Sequence, residues 1–239
     1  MIHEFSRTGM LIGETGLRAL KKSRVAVFGV GGVGSHAIEA LARSGVGSLA
    51  LVDNDTVSLT NINRQSIALH STVGRYKTQV MKEKIADINP RCNVSAFETF
   101  VLPDNLEELF GQIGPVDYIL DAIDTVTAKL ALIVYAQSHD IPIVASMGTG
   151  NKLHPELFQI SDIYKTSVCP LCKVMRRELK ARQVKKLTVC WSPELPLTPG
   201  PTEEDTGARR ATPGSIAFVP PAAGLLIAGK IVRDLCGLE

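Results

Sequence analysis

The sequence lacks the features of a membrane protein, a disulfide-stabilised protein and an exported protein. The most apolar late stretch, residues 216–231, is broken by Pro220 and Pro221 and is too short to cross a bilayer. The five cysteines have no framework spacing, which suits a reducing compartment, and the first residues do not follow a signal-peptide pattern. We therefore expect a cytoplasmic protein with no membrane span.

The sequence also has little excess of either charge, because 26 Lys and Arg residues nearly balance 24 Asp and Glu residues. The net charge of +2 excludes a protein that is basic as a whole. The composition, 45% hydrophobic and 21% charged, is typical of a soluble globular chain with one substantial core. There is no internal repeat, and the five histidines have no metal-ligand spacing. Function must therefore depend on local motifs.

A glycine-rich turn between an apolar run and a helical pattern is the most informative motif. Gly29, Gly31 and Gly34 fit the spacing G-x-G-x-x-G, and Gly32 adds a further glycine. Glycine permits a tight turn, close approach of the backbone to phosphate and close packing of helix on strand. The N-terminus of the following helix offers N–H groups to an anion. Asp53 ends the second apolar run, where a carboxylate accepts ribose hydroxyls, so the segment predicts a nucleotide site.

Apolar runs alternate with helical patterns through the first part of the chain. The predicted strands span residues 25–28, 48–52, 93–97, 118–120 and 141–145. The predicted helices span residues 35–43, 77–88, 104–110 and 126–139. This alternation predicts an α/β fold with a Rossmann-like, doubly wound, mostly parallel sheet that has helices on both faces.

The pattern changes towards the C-terminus. Strand-like runs at 157–160, 187–191 and 215–219 predict added antiparallel strands, and a buried or interface helix should follow the last run. The proline-rich segment 192–213 predicts a flexible loop. We expect one nucleotide-binding domain, residues 1–239, made of a nucleotide-binding core, 1–150, and a substrate-facing and interface region, 151–239.

Cations are more numerous near the predicted nucleotide site than a redox cofactor needs. NAD and FAD, the usual ligands of this glycine pattern, carry a diphosphate that the turn itself largely neutralises. Here Arg64 and Lys77 follow Asp53, and Arg7 lies upstream. Asp124 follows a predicted strand, at the edge where ligands of open α/β sheets bind. These groups favour a triphosphate with Mg²⁺, attacked at its α-phosphorus, and leave a redox cofactor as the alternative.

One segment concentrates positive charge. Seven Lys and Arg residues occur from Lys173 to Lys186, against one acid, Glu178. A helix of this composition can follow the phosphates of a nucleic acid by releasing counterions. The alternative is an ordinary solvated helix face. The candidate nucleic-acid contacts are Lys173, Arg176, Arg177 and Lys180.

Roughly the first 165 residues resemble the ThiF/MoeB-type adenylating enzymes, which are relatives of the ubiquitin-activating enzymes. Five elements occur in the order typical of that family: the glycine-rich turn, the Asp-x-Asp at 53–55, the segment 60–65, Lys77 and the segment 120–124. In the family reaction, a carboxylate attacks the α-phosphate of ATP, which gives an acyl-adenylate and pyrophosphate. The resemblance therefore implies an ATP-dependent adenylating enzyme.

The same resemblance implies roles for individual residues. Asp124 would hold Mg²⁺, and Arg7 would reach the phosphates from the partner subunit of a homodimer. Together with Arg64 and Lys77, these two residues would be catalytic. The implied ATP-binding residues are Gly29, Gly31, Gly32, Gly34, Asp53, Asp55, Asn61, Arg64 and Lys77.

The cysteines differ from those of the family members that charge ubiquitin-like proteins. Those members usually carry two Cys-x-x-Cys pairs that hold zinc, and many present a thiol on the long loop. This chain has a single pair, Cys169 and Cys172, and no cysteine in segment 192–213. Two thiolates leave a tetrahedral zinc site open, so zinc is not expected unless Cys190 or another ligand completes it. Cys190 is also a candidate for a transferred thioester or persulfide, although we expect a small buried hydrophobe there.

Two further segments narrow the resemblance within the family. Residues 161–179, and residues 121–125 continuing to Lys129, are similar to the branch that dehydrates threonylcarbamoyladenosine in tRNA. This branch implies that adenylation activates the threonyl carboxylate and that the neighbouring carbamoyl group then expels AMP. No enzyme thiol is required, because the nucleophile is already tethered in the substrate. The alternative within the family is an activator of a ubiquitin-like or sulfur-carrier protein, and a sulfur-transfer protein is a further candidate partner.

Overall fold

The fold is a twisted sheet of seven strands with helices on both faces. In the computed structural model, residues 2–201 and 213–238 are described. The strand order is β3-β2-β1-β4-β5-β7-β6, and every neighbouring pair is parallel except β6 and β7, which are antiparallel. The strands are β1 (Arg24–Phe28), β2 (Ser48–Val52), β3 (Asn93–Phe97), β4 (Tyr118–Asp121), β5 (Ile143–Ser146), β6 (Gln159–Asp162) and β7 (Thr188–Trp191). The predicted doubly wound, mostly parallel sheet with antiparallel addition is confirmed.

Seven α-helices cover the sheet in the two described ranges. They are α1 (Ser6–Lys22), α2 (Gly34–Ser44), α3 (Lys77–Ile88), α4 (Leu106–Ile113), α5 (Val126–Ser138), α6 (Pro170–Ala181) and α7 (Val219–Cys236). Among these residues, no helix combines the length and the hydropathy needed to cross a membrane.

The alternating side chains of β1 divide the core between the two faces of the sheet. Val25 and Val27 join the cluster that includes residues of α1, α2, α3 and α7. Ala26 and Phe28 join the cluster that includes residues of α4 and α5. Because all four side chains are buried, this strand is a continuous apolar run, as expected for a parallel strand covered on both faces.

The structure differs from the sequence predictions mainly at its two ends. The predicted strand at 215–219 is wrong, because residues 213–218 form no strand and α7 begins at Val219. Pro220 and Pro221 occupy the first turn of that helix, where the missing N–H groups need no partner. Helix α1 was not predicted from the pattern, and it is kinked at Gly13, whose φ is 67°. The loop predicted at 192–213 has no helix or strand up to residue 201, and residues 202–212 lie outside the described ranges.

Candidate active site

A cavity of about 540 Å³ lies at the carboxyl ends of the central parallel strands. This edge is where ligands of open α/β sheets bind. Gly34 and Arg7, which were predicted for the site, do not line the cavity. The predicted site residues that line it are Gly29, Gly31, Gly32, Asp53, Asp55, Asn61, Arg64, Lys77 and Asp124.

Two glycines of the turn allow close backbone contact. Gly29 has a φ of +93°, and a Cβ there would lie 2.6 Å from the carbonyl oxygen of Ala122. A Cβ on Gly34 would lie 1.8 Å from the carbonyl oxygen of Gly29, so the first turn of α2 could not pack against the strand. Gly31 differs, because a Cβ there would meet no protein atom closer than 3.9 Å. Gly31 therefore leaves space for a ligand, whereas Gly29 and Gly34 shape the turn.

Asp53 connects the glycine-rich turn to the end of β2. One carboxylate oxygen accepts a hydrogen bond from the N–H of Val30 at 2.6 Å, and the other accepts from the N–H of Asp55 at 2.8 Å. Burial raises the pKa of Asp53 above the ordinary value, against the opposing effect of Lys77. Each carboxylate oxygen has a second lone pair, so Asp53 can also accept ribose hydroxyls.

Lys77 places an ammonium group at the first residue of α3. Cations are disfavoured at a helix N-terminus, because the helix dipole is positive there. The side chain is 7% exposed, and its Nζ lies 2.7 Å from Oδ2 of Asp55, whose own side chain is 60% exposed. A buried cation with one exposed carboxylate beside it is well suited to bind a phosphate in the cavity.

Arg64 and Asn61 lie on the loop that follows β2. The Arg64 guanidinium donates to the carbonyl oxygen of Thr60 and to Oδ1 of Asn63, both at 2.9 Å. Asn61 is buried, and its Oδ1 accepts from the N–H of Ser58 at 3.1 Å, which leaves its amide NH₂ group for other partners. Both side chains therefore keep donors that an anionic ligand can accept.

The first turn of α2 holds this loop in place. The N–H of Ser66 donates to Oγ of Ser35 at 3.1 Å, and Nε2 of His36 lies 3.2 Å from the carbonyl oxygen of Arg64. Burial lowers the pKa of His36 from its ordinary value. The glycine-rich turn and the Arg64 loop are thus fixed to the N-terminal turn of the same helix.

Asp124 is an exposed carboxylate in the loop between β4 and α5. Its only hydrogen bond within the described residues is accepted from the hydroxyl of Thr125 at 3.4 Å. Those residues contain no group of three or more His, Cys, Asp or Glu that could hold a metal. Mg²⁺ is commonly held by one or two carboxylates together with substrate phosphates and water, and Asp124 fits that kind of site.

Arg7 lies in the first turn of α1 and is exposed. Since it does not line the cavity of its own chain, a contribution to the phosphates would have to come from another subunit. This role stays a prediction.

The three cysteines considered for chemistry, Cys169, Cys172 and Cys190, are buried and do not present exposed nucleophiles. Cys190 is fully buried on β7, and burial raises the pKa of its thiol to about 12. Cys169 precedes α6, and a hydrogen bond with Cys172 lowers its pKa to about 6. Both members of this pair are buried, with exposed fractions of 2% and 0%.

Helix α6 is amphipathic, with its charges on the outer face. Cys172, Met175 and Leu179 are buried on its inner face. The four predicted nucleic-acid contacts are not equivalent. Arg176 donates to the carbonyl oxygen of Thr166 at 3.0 Å, and Arg177 pairs with Glu178 at 2.8 Å.

The other two predicted contacts have free charges. Lys173 and Lys180 are exposed, and their ammonium groups have no hydrogen bond or ion pair with another described residue. Leu171, in the first turn of the same helix, lines the cavity. The exposed lysines of α6 therefore extend from the edge of the cavity.

Gln65 is a cavity residue that was not singled out from the sequence. It is 7% exposed, and its Oε1 is buried without a hydrogen-bond partner among the described residues. Its Nε2 is the atom nearest to the position of a Cβ on Gly31. The signal that could have found it is its place directly after Arg64, on a loop already assigned to the nucleotide.

The glycine-rich turn and the convergent cations of this cavity are typical of a nucleotide-binding α/β protein. The ThiF family model matches residues 5–239, and the chain belongs to this family. A tRNA threonylcarbamoyladenosine dehydratase of Bacillus subtilis is 46% identical over 244 residues, which cover 98% of this chain and 95% of the relative. The crystal structure of the Escherichia coli tRNA N6-threonylcarbamoyladenosine dehydratase TcdA in complex with ATP is 35% identical. It has a TM-score of 0.88 and covers 98% of this chain and 94% of its own.

A different activity is named for more distant relatives. The adenylyltransferase and sulfurtransferase UBA4 of Candida glabrata is 31% identical over 157 residues. These cover 63% of this chain and 36% of the relative. The similarity to the Bacillus subtilis dehydratase is therefore higher and covers a larger share of both chains.

Proposed function

We propose that this chain is an ATP-dependent dehydratase of threonylcarbamoyladenosine in tRNA, which acts by adenylating the substrate carboxylate. The observation that carries the proposal is the cavity itself. Asp53, Arg64, Lys77 and Asp124 surround one space at the carboxyl edge of the sheet. They do so in a chain that is 46% identical, over nearly its whole length, to a named dehydratase.

ATP would lie with its phosphates against the glycine-rich turn. The N–H groups at the start of α2 and the space left by Gly31 favour an anion there. Asp53 would accept the ribose hydroxyls. Arg64 and Lys77 would lie beside the phosphates and stabilise the charge that develops on departing pyrophosphate. Mg²⁺, when bound by Asp124 and phosphate oxygens, would neutralise part of that charge.

The reaction then follows in two displacements. An oxygen of the threonyl carboxylate attacks the α-phosphorus, and the bond from that phosphorus to the bridging oxygen of pyrophosphate breaks. The carbamoyl group next attacks the activated carbonyl carbon, the bond from that carbon to the phosphate oxygen of AMP breaks, and the carbamoyl group gives up a proton, so that the nucleoside has lost one water. The second attack is intramolecular, which removes the need for a nucleophile from the protein.

The tRNA would approach along α6. Lys173 and Lys180 are exposed on a helix whose first turn reaches the cavity through Leu171. Phosphates flanking the modified nucleoside could contact these lysines while the nucleoside enters the cavity. Arg176 and Arg177 have partners within the protein and would contribute less.

The proposal also includes a cellular compartment, an oligomeric state and a further partner. The protein would act in the cytoplasm as a homodimer, in which Arg7 of each subunit serves the other cavity. A sulfur-transfer protein is a further candidate partner.

Activation of a ubiquitin-like or sulfur-carrier protein is a weaker alternative, because the thiol of Cys190 is buried and segment 192–213 contains no cysteine.

The decisive experiment supplies the whole substrate. The protein is incubated with ATP, Mg²⁺ and threonylcarbamoylated tRNA, and the nucleosides are analysed by mass spectrometry. We expect AMP release and a nucleoside lighter by one water. An unchanged nucleoside, with protein that binds ATP in the same preparation, would overturn the proposal. AMP release that requires a small protein ending in Gly-Gly would support the alternative.

A further inference from the structure

A fully buried cation lies beneath the cavity and takes no part in the proposed chemistry. Lys129 is on α5, and its Nζ lies 2.9 Å from Oδ2 of Asp121. The same ammonium donates to the carbonyl oxygen of Ser146 at 2.9 Å and to that of Ile123 at 3.1 Å. Neither Lys129 nor Asp121 is exposed to solvent. Burying an ammonium is costly unless its donors find partners, and here three oxygen atoms around Nζ compensate that cost.

The three partners of Lys129 belong to two adjoining walls of the cavity. Asp121 is the last residue of β4, and Ile123 follows it in the loop that carries Asp124. Ser146 is the last residue of β5 and lines the cavity, as does the segment 147–150 after it. One ammonium group therefore connects the ends of two neighbouring strands just where each of them turns into the cavity wall.

The backbone of Ile123 is held on both sides. Its N–H donates to Oδ1 of Asp121 at 3.1 Å, and its carbonyl oxygen accepts from Lys129. Asp124 is the next residue, so its backbone follows directly from a fixed peptide. Burial raises the pKa of Asp121, and the ammonium of Lys129, 2.9 Å from its Oδ2, opposes that rise. Beyond pairing with each other, Asp121 and Lys129 each hold the peptide of Ile123.

We propose that Lys129 is a positioning residue: it fixes the loop of residues 122–125 against the end of β5 and so sets the direction in which Asp124 enters the cavity. Lys129 touches no reacting atom in this role. Its effect on turnover depends on the proposed dehydratase function, but its effect on the binding of Mg²⁺ and ATP does not.

The test separates positioning from simple charge balance. Replacing Lys129 alone, K129M, leaves the Asp121 carboxylate buried without a cation, and stability should fall. The double variant D121N/K129M removes both charges, and the side-chain amide that D121N introduces keeps an oxygen that can accept from the N–H of Ile123. Its melting temperature should return towards that of the wild type. The exposed Lys22→Met provides a matched control.

Three quantities are measured for each variant. The melting temperature comes from a thermal unfolding scan, and the affinity for ATP with Mg²⁺ and AMP release with the modified tRNA are measured at a temperature where all variants are folded. We expect affinity to fall about tenfold and AMP release about tenfold to a hundredfold in K129M and in D121N/K129M alike. D121N alone keeps the amine that donates to both carbonyls, and its AMP release should stay within about threefold of the wild type.

Recovery of all three quantities in D121N/K129M would overturn the proposal, because Lys129 would then only balance a charge. If that variant does not fold, loss of turnover in folded D121N equal to that in K129M would overturn it too. Should the wild type release no AMP, the dehydratase function fails, and the ATP affinities of the same variants still decide the role of Lys129.

Discussion

The cations of the cavity and the cations of α6 are held in opposite ways. Lys77 is buried, lies at a helix N-terminus and touches a single carboxylate, so its position is set by the fold. Lys173 and Lys180 are exposed, and their ammonium groups have no partner in the described part of the chain. The first arrangement costs stability and stabilises charge at one point. The second costs little and suits a flexible, salt-dependent contact with many phosphates.

This difference predicts that substitutions in the cavity and substitutions on α6 will change different properties of the protein. Changes in the cavity should reduce the rate of adenylation or the affinity for ATP and leave tRNA affinity nearly unchanged. Changes on α6 should reduce the affinity for tRNA and leave the rate of adenylation and the affinity for ATP nearly unchanged. A variant that breaks this division would show that the two regions are not independent.

The largest effect is expected at Lys77. In Lys77→Ala the ammonium that would stabilise departing pyrophosphate is lost, and AMP release should fall by about 10²- to 10³-fold. The exposed Lys82→Ala, on the same helix, should have no such effect. The measurement is AMP release at saturating ATP and tRNA. Since Asp55 is largely exposed, folding should be little affected. A Lys77 variant that keeps wild-type turnover would remove this residue from the mechanism.

The second prediction compares two glycines of the same turn. Gly34→Ala places a Cβ 1.8 Å from a backbone oxygen and should cost about 3 kcal/mol or more of folding free energy. In Gly31→Ala the new Cβ meets only Nε2 of Gln65, at 3.9 Å, so its unfolding curve should match that of the wild type. Its affinity for ATP should nevertheless fall about tenfold, because the methyl group occupies ligand space. Equal stability of the two variants would contradict the structure, and undiminished ATP affinity of Gly31→Ala would place the nucleotide elsewhere.

The sequence was most informative where function depends on a short stretch of backbone. Asn61 of the 60–65 loop was assigned from the family resemblance. The glycine-rich turn and Asp53, by contrast, adjoin strand ends, and parallel strands bring their carboxyl ends to one edge. Local spacing and elementary topology were therefore sufficient to bring these residues together. The same holds for Asp124 after β4.

Other parts of the site depend on tertiary packing and could not be predicted in this way. Residues 213–215 reach the cavity only because the chain returns there before α7. Helix α1 contains three glycines and has weak helix propensity, and packing on α7 supports it, as the contact of Cys236 with the Gly16 carbonyl oxygen indicates. The partner of Arg176 could not be predicted from the composition of α6 either, because Thr166 lies outside that helix and packing brings it to the guanidinium.

A smaller effect is expected on α6. Replacing Lys173 and Lys180 together with Ala should weaken tRNA binding about tenfold at low salt and reduce the salt dependence by about two phosphate contacts. ATP affinity should not change. The matched control replaces the exposed Lys21 and Lys22 of α1. Binding is measured by fluorescence anisotropy over a series of salt concentrations. An unchanged salt slope would mean that these lysines are an ordinary solvated face.

The smallest effect concerns His36 and the pH dependence of stability. Burial lowers the pKa of His36, so the folded state favours the neutral ring, which contacts the carbonyl oxygen of Arg64. The unfolded chain binds a proton near its ordinary pKa of about 6.5, and folding therefore loses stability as the pH falls through that value towards the folded pKa. His36→Gln should reduce this loss, whereas the exposed His70→Gln should not. Melting temperatures between about pH 8 and about pH 5 provide the measurement. If the wild type and His36→Gln decline in parallel over this range, protonation of His36 does not oppose folding and its contact with the Arg64 loop contributes nothing to the pH dependence.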